Sequence, residues 1–147
     1  MTNTSDDRLD DSGPAAAAYD PRTVAAVGKL TEALEIAEVA RGHLYNFHRL
    51  TGTADFAVEE AAELMARAGH CELAEQLNRE LVGRNVLPGR WTFQVVEDYE
   101  DTYYRTFRAF EERARELTDG RRHLHEAELK RSRRSRAEPA HEAAPKD

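Results

Sequence analysis

Between Pro21 and Leu50 the sequence carries apolar residues at helical spacing over an arc too wide for one neighbour. Val27, Leu30, Leu34, Ala37, Leu44 and Tyr45 make one stripe, and Ile36, Val39, Ala40, Phe47 and Leu50 widen it toward a second side. A helix lying on a single partner needs only one stripe, so this pattern asks for more than one packing partner. Asp20-Pro21 reads as an N-cap followed by proline at the first helical position, and Thr51-Gly52-Thr53 reads as the stop. Gly42, inside the helix, costs about 1 kcal/mol relative to alanine. It predicts a close neighbouring backbone or a bend.

The same reading carries along the chain. Asp55 caps a second helix over about 55–68, whose buried side is Ala57, Ala61, Leu64, Met65 and Ala68. A third, over about 70–82, presents Leu73, Leu77 and Leu81 to the core, and Gly83 closes it. The loop 83–91 contains the turn Pro88-Gly89. A last long helix covers about 92–118, with Val96, Tyr103, Phe110 and Leu117 at sevens and Tyr99, Phe107 and Ala114 beside them. No strand pattern occurs. The expectation is an all-α fold, a small bundle of two long helices (about 21–50 and 92–118) and two shorter ones. Gly69 leaves no loop residues to spare, which favours a kink there over a reversal.

Residues 1–19 hold almost no large apolar side chain and are expected to be disordered, and 120–147 to be a weakly helical, then mobile tail. The folded body is then 20–119. Net charge is −7, with −4 in residues 1–20 and +3 in 120–147, so the body is acidic and unsuited to nucleic acid. The first twenty residues lack a basic region followed by an apolar stretch, and no apolar run approaches the ~20 residues that span a bilayer. A cytoplasmic chain that does not engage membranes is expected. Cys71, the single cysteine, suits a reducing compartment and reads as a small packed hydrophobe beside Leu73 and Ala74.

Few residues suggest chemistry. If the chain turns at Gly52, His43 and His48 come level with Glu60 and Glu63, and Glu100 approaches in a reversed topology. His43, His48, Glu60 and Glu100 are suitable donors for zinc or iron. The Glu-x-x-His pair of di-iron bundles is missing, however, and His43 and His48 stand five apart. Arg84, Arg90 and Trp91 bracket the Pro-Gly turn and are of the types enriched at partner-binding sites, with a bundle-end plug as the competing role for Trp91. Lys130, Arg131, Arg133, Arg134 and Arg136 form a basic run able to meet nucleic acid or an acidic segment, though no aromatic is placed there for stacking. No catalytic motif is present. A wide apolar arc together with a heptad stripe points to a non-enzymatic helical interaction or scaffolding module. A homo-oligomer, or a partner protein's helix, then covers the surplus face. A small metal- or ligand-binding bundle and nucleic-acid association through the tail are the alternatives.

Overall fold

The computed structural model describes residues 18–135 and 138–141. It contains α1 (Pro21–Arg67), α2 (Cys71–Glu80), α3 (Thr92–Tyr99), a π-helical turn (Glu100–Tyr104), α4 (Arg105–Glu116), α5 (Leu124–Arg133) and a short 3₁₀ turn (Pro139–His141). Among the described residues there is no strand beyond an isolated bridge between Leu87 and Arg90. The fold is all-α with two long helical stretches, 21–67 and 92–116, and shorter ones. The tail expectations for 1–17, 136–137 and 142–147 lie outside the described residues.

The first long helix is longer than its punctuation suggests. It runs unbroken for 47 residues through Thr51-Gly52-Thr53 and absorbs the helix expected to start at Asp55. Gly52 is not among the glycines with positive φ, so it takes no stop conformation, and the Thr53 hydroxyl donates to the Arg49 carbonyl at 3.1 Å, staying within the helical ladder. The true stop is Gly69, at φ +90°. Its N–H donates to the Ala66 carbonyl at 3.0 Å and that of His70 to the Met65 carbonyl at 2.8 Å, which satisfies the last carbonyls of α1. Gly42 has nothing within 4 Å of where a Cβ would stand, so no backbone approaches there.

Two compact units divide the chain: a central unit, Ala37–Arg105, and a terminal unit formed by the stretches up to Ile36 and from Thr106. In the central unit the chain reverses at Gly69 rather than kinking, because the Gly83 N–H donates to Asp55 Oδ1 at 2.8 Å and so brings the end of α2 back beside the middle of α1. α3 continues in the same direction: His48 Nδ1 lies 2.7 Å from Thr92 Oγ1, Arg41 Nε donates to Glu100, and the Tyr104 hydroxyl donates to Glu38. The unit is therefore two helices thick, α1 against α2 and then α3. The residues buried in it are small for the most part: Ala37, Ala62 and Ala74, with Val96 and Tyr104. Leu73 and Leu81, expected in the core, are exposed, and so are Ala57, Leu64 and Ala68.

In the terminal unit, α4 and α5 join the first turns of α1. Tyr19 donates to Asp119 at 2.6 Å, and Thr31 donates to Glu111 at 3.0 Å. Glu111, only 5% exposed, also takes the Arg115 guanidinium at 2.8 and 3.0 Å. The stretch after Gly120 is more than a tail, because α5 buries Leu124 and Ala127 and approaches α1 closely where Gly28 meets His125.

The π turn explains why the sevens fail. One extra residue in a turn rotates everything after it by about 100°. Val96, before the turn, is buried, but Tyr103, Phe110 and Leu117 are 58, 55 and 64% exposed. The buried line after the turn is instead Tyr104, Glu111 and Thr118.

A Cβ on Gly28 would stand 2.5 Å from the His125 Cβ, so α1 and α5 meet there at a distance only glycine allows. Gly28→Ala is expected to cost about 1–3 kcal/mol of stability despite its better helix propensity. Gly52→Ala, in open space, should gain about 0.5–1 kcal/mol. Chemical denaturation of the two variants checks both signs.

Candidate functional site

Along its central-unit stretch α1 carries two lines of residues, each alternating steps of three and four. One line (Ala37, Arg41, Leu44, His48, Thr51, Asp55, Val58, Ala62, Met65) is buried or half-buried throughout. The second (Ala40, His43, Phe47, Leu50, Ala54, Ala57, Ala61, Leu64) is exposed at every position but the half-buried Ala61. Such alternation is the pattern of a helix–helix seam, and in the second line only His43 is polar. Phe47, Leu50 and Leu64 are 46, 67 and 53% exposed. This is the second side of the wide arc, left uncovered.

Beside it opens a cavity of about 670 Å³. Phe47, Ala54 and Val58 of α1 form one wall, and Leu81, Val86, Trp91 and Phe93 the other, with Arg84 and Thr92 among the polar groups at its edge. The opposite wall is held by local hydrogen bonds. Asp55 fastens Gly83, the Leu87 carbonyl accepts from the Arg90 N–H at 3.0 Å to close the turn, and Gln94 Oε1 accepts the Trp91 N–H at 2.9 Å. Trp91 is 60% exposed and makes an edge contact with Phe93 at 5.4 Å, so it does not plug a bundle end. Of the three residues singled out around the turn, Arg84 and Trp91 share this cavity, while Arg90 is paired with Asp98 at 3.0 Å and is not among its lining residues.

A polar cluster gathers where α1 meets the π turn. Arg41 donates to Glu100 and lies 4.6 Å from the Tyr104 ring centre and 5.2 Å from that of Tyr45. Tyr45 donates to the same Glu100 oxygen at 3.2 Å. The hydrogen bond to Glu100 raises the Arg41 pKa further, and burial, then the neighbouring Tyr103, raises that of Tyr99. Arg41, Tyr45 and Glu100 are bonded to one another, and the Tyr104 hydroxyl donates to Glu38. The arrangement locks α3 to α1 and holds no nucleophile beside a base.

The metal set is not assembled. With no hairpin at Gly52, His48 and Glu60 lie twelve residues apart on one continuous helix, about 18 Å along its axis, and His43 and Glu60 about 25 Å. His48 is bonded to Thr92, Glu100 is engaged by Arg41 and Tyr45, and His43 and Glu60 face solvent. No group of three His, Cys, Asp or Glu able to hold zinc, iron or another metal occurs among the described residues. Cys71 is exposed at the start of α2 rather than packed. The basic run begins within α5, where Lys130, Arg131 and Arg133 are helical, Arg131 is paired with Glu128 at 3.0 Å and Arg134 follows the helix; Arg136 lies outside the described residues. No described helix is long and apolar enough to cross a membrane.

Two measurements test the cluster. Arg41→Ala removes the cation over Tyr104 and leaves Glu100, 23% exposed, with Tyr45 but no cationic partner; it should cost about 2 kcal/mol. Arg105→Ala, which breaks an exposed pair with Asp101, should cost less than about 0.5 kcal/mol. Because the folded Tyr99 phenol ionises above 10.0, folded chain holds that proton at a pH where unfolded chain has lost it. Its contribution is complete below pH 10.0 and declines as pH rises through the folded value, so Tyr99→Phe should flatten the alkaline fall of stability with pH.

The chain matches no protein-family model, no curated protein and no solved structure.

Proposed function

We propose that this chain is a non-enzymatic helical interaction module whose open apolar faces are covered by another helix surface, in a homo-oligomer or from a partner protein. The observation that carries the reading is the second line on α1: a helix–helix seam with large apolar residues facing water. The cavity mouth with Trp91 and Phe93 extends the same surface. Isolated apolar residues on a surface are ordinary, but a contiguous strip of this kind is a protein–protein feature. Trp91, with Arg84 on the same rim, is the anchor of the type that dominates such contacts. A reducing, cytoplasmic setting suits the exposed single thiol of Cys71.

Trp91 is the only tryptophan and reports directly. In dilute chain its emission should be that of solvated indole, readily quenched by iodide, and a hydrophobic dye such as anilinonaphthalene sulfonate should bind. On association the emission moves to shorter wavelength and quenching falls. Trp91→Ala should weaken association about 30-fold, some 2 kcal/mol, while leaving fold stability nearly unchanged. A chain that binds no dye and whose Trp91 is equally quenchable at every concentration overturns the reading.

A further inference from the structure

The two lines on α1 are alike in spacing, and the described helices cover one of them only. We propose that a second copy of this chain covers the other, antiparallel, about a two-fold axis beside Ala54 and Ala57. This rests on the module reading and names its occupant.

Size comes first. An axis beside Ala54 and Ala57 sets Phe47 opposite Leu64, Leu50 opposite Ala61, and Ala54 opposite Ala57, then repeats those layers by symmetry. Large residues meet at the outer layers, a large residue meets a small one between, and the smallest pair lies on the axis where the helices come closest. A parallel, in-register pair would instead stack Phe47 on Phe47 and leave Ala54, Ala57 and Ala61 facing themselves. That is about 10 Å of seam with too little side chain to fill it.

Charge agrees. Arg49 lies on the same flank of the seam as Glu60 and Glu63, all three exposed. The antiparallel arrangement brings the same flank of both copies together and sets Arg49 level with Glu60 and Glu63 of the second copy, whereas a parallel two-fold turns these flanks to opposite sides of the seam. Area agrees as well. From Ala40 to Leu64 is about 36 Å of helix, and the open cavity at Phe47 and Ala54 widens the strip to roughly two helix widths of ~10 Å. The product is close to the ~800 Å² per partner of a stable specific interface. Two central units joined this way make a four-helix layer from a pair of two-helix hairpins, and each α1 then has a neighbour on both lines.

Sedimentation equilibrium on the full chain, from submicromolar to high micromolar, should show a dimer. Ala54→Glu puts a carboxylate on the axis and should weaken it at least a hundredfold with helicity unchanged, since Ala54 faces solvent in the single chain; Leu50→Gln is the second variant, should the first lose helicity. Arg49→Glu should weaken the dimer several-fold, and Arg49→Glu with Glu60→Arg should restore it. A dimer indifferent to Ala54→Glu and Leu50→Gln, or one not restored by the paired charge exchange, overturns the proposal. A monomer at all concentrations that still binds the dye overturns the second copy and leaves the module reading standing. A monomer that binds no dye takes both down.

Discussion

A helix that carries two seams needs two neighbours, and most of what is unusual in the central unit follows from α1 having one. Because α1 continues through Gly52, the chain cannot fold back until Gly69, and among the described residues of the central unit only α2 and α3, one after the other, return along it. Two layers of helix bury one face of each and leave the other to water. A hairpin at Gly52 would have made three layers and covered the second line with the chain's own residues.

The π turn settles the other side of the pairing. By adding a residue it turns Tyr104 toward α1, where its hydroxyl reaches Glu38 and its ring lies under the Arg41 guanidinium, itself bonded to Glu100 one turn earlier. The same rotation sends Tyr103 outward. Polar contact with α1 and exposure of the heptad residues downstream are one event. An uninterrupted helix would keep the sevens in register.

The helical class, both long stretches and the wide arc of the first were legible because each rests on periodicity summed over many residues. The misread points rest on one or two. Thr51-Gly52-Thr53 has the composition of a stop, yet the spacing that passes through Phe47, Leu50, Ala54 and Ala57 does not change phase there. That continuity was the available signal, and it outweighs a single glycine costing about 1 kcal/mol. The imagined metal set fell with the hairpin, since its donors were brought together by nothing else. The π turn leaves no mark in spacing, because Glu100–Tyr104 is as helical in composition as its flanks. Burial of Tyr104 rather than Tyr103 depends on Glu38 and Arg41, more than fifty residues away. The competing role for Trp91, a bundle-end plug, fails because a chain whose second layer is broken at the 83–91 loop has no closed end for it to fill, and Trp91 is 60% exposed.

The distribution of large and small side chains gives the arrangement its direction. Inside the central unit the buried residues are largely alanines, and the pairing of layers is specified by polar ties: Asp55 to Gly83, His48 to Thr92, Arg41 to Glu100, Tyr104 to Glu38. Each such tie contributes a net ~1 kcal/mol or somewhat more where a charge takes part. Outside, Phe47, Leu50, Leu64 and Trp91 are largely exposed, and covering a side chain of that size is favourable by about 1.5–3 kcal/mol. A chain that placed its large residues inward would be a more stable monomer. This one leaves Phe47, Leu50 and Leu64 at the surface, so the apolar stabilisation still open to the central unit lies on that line of α1.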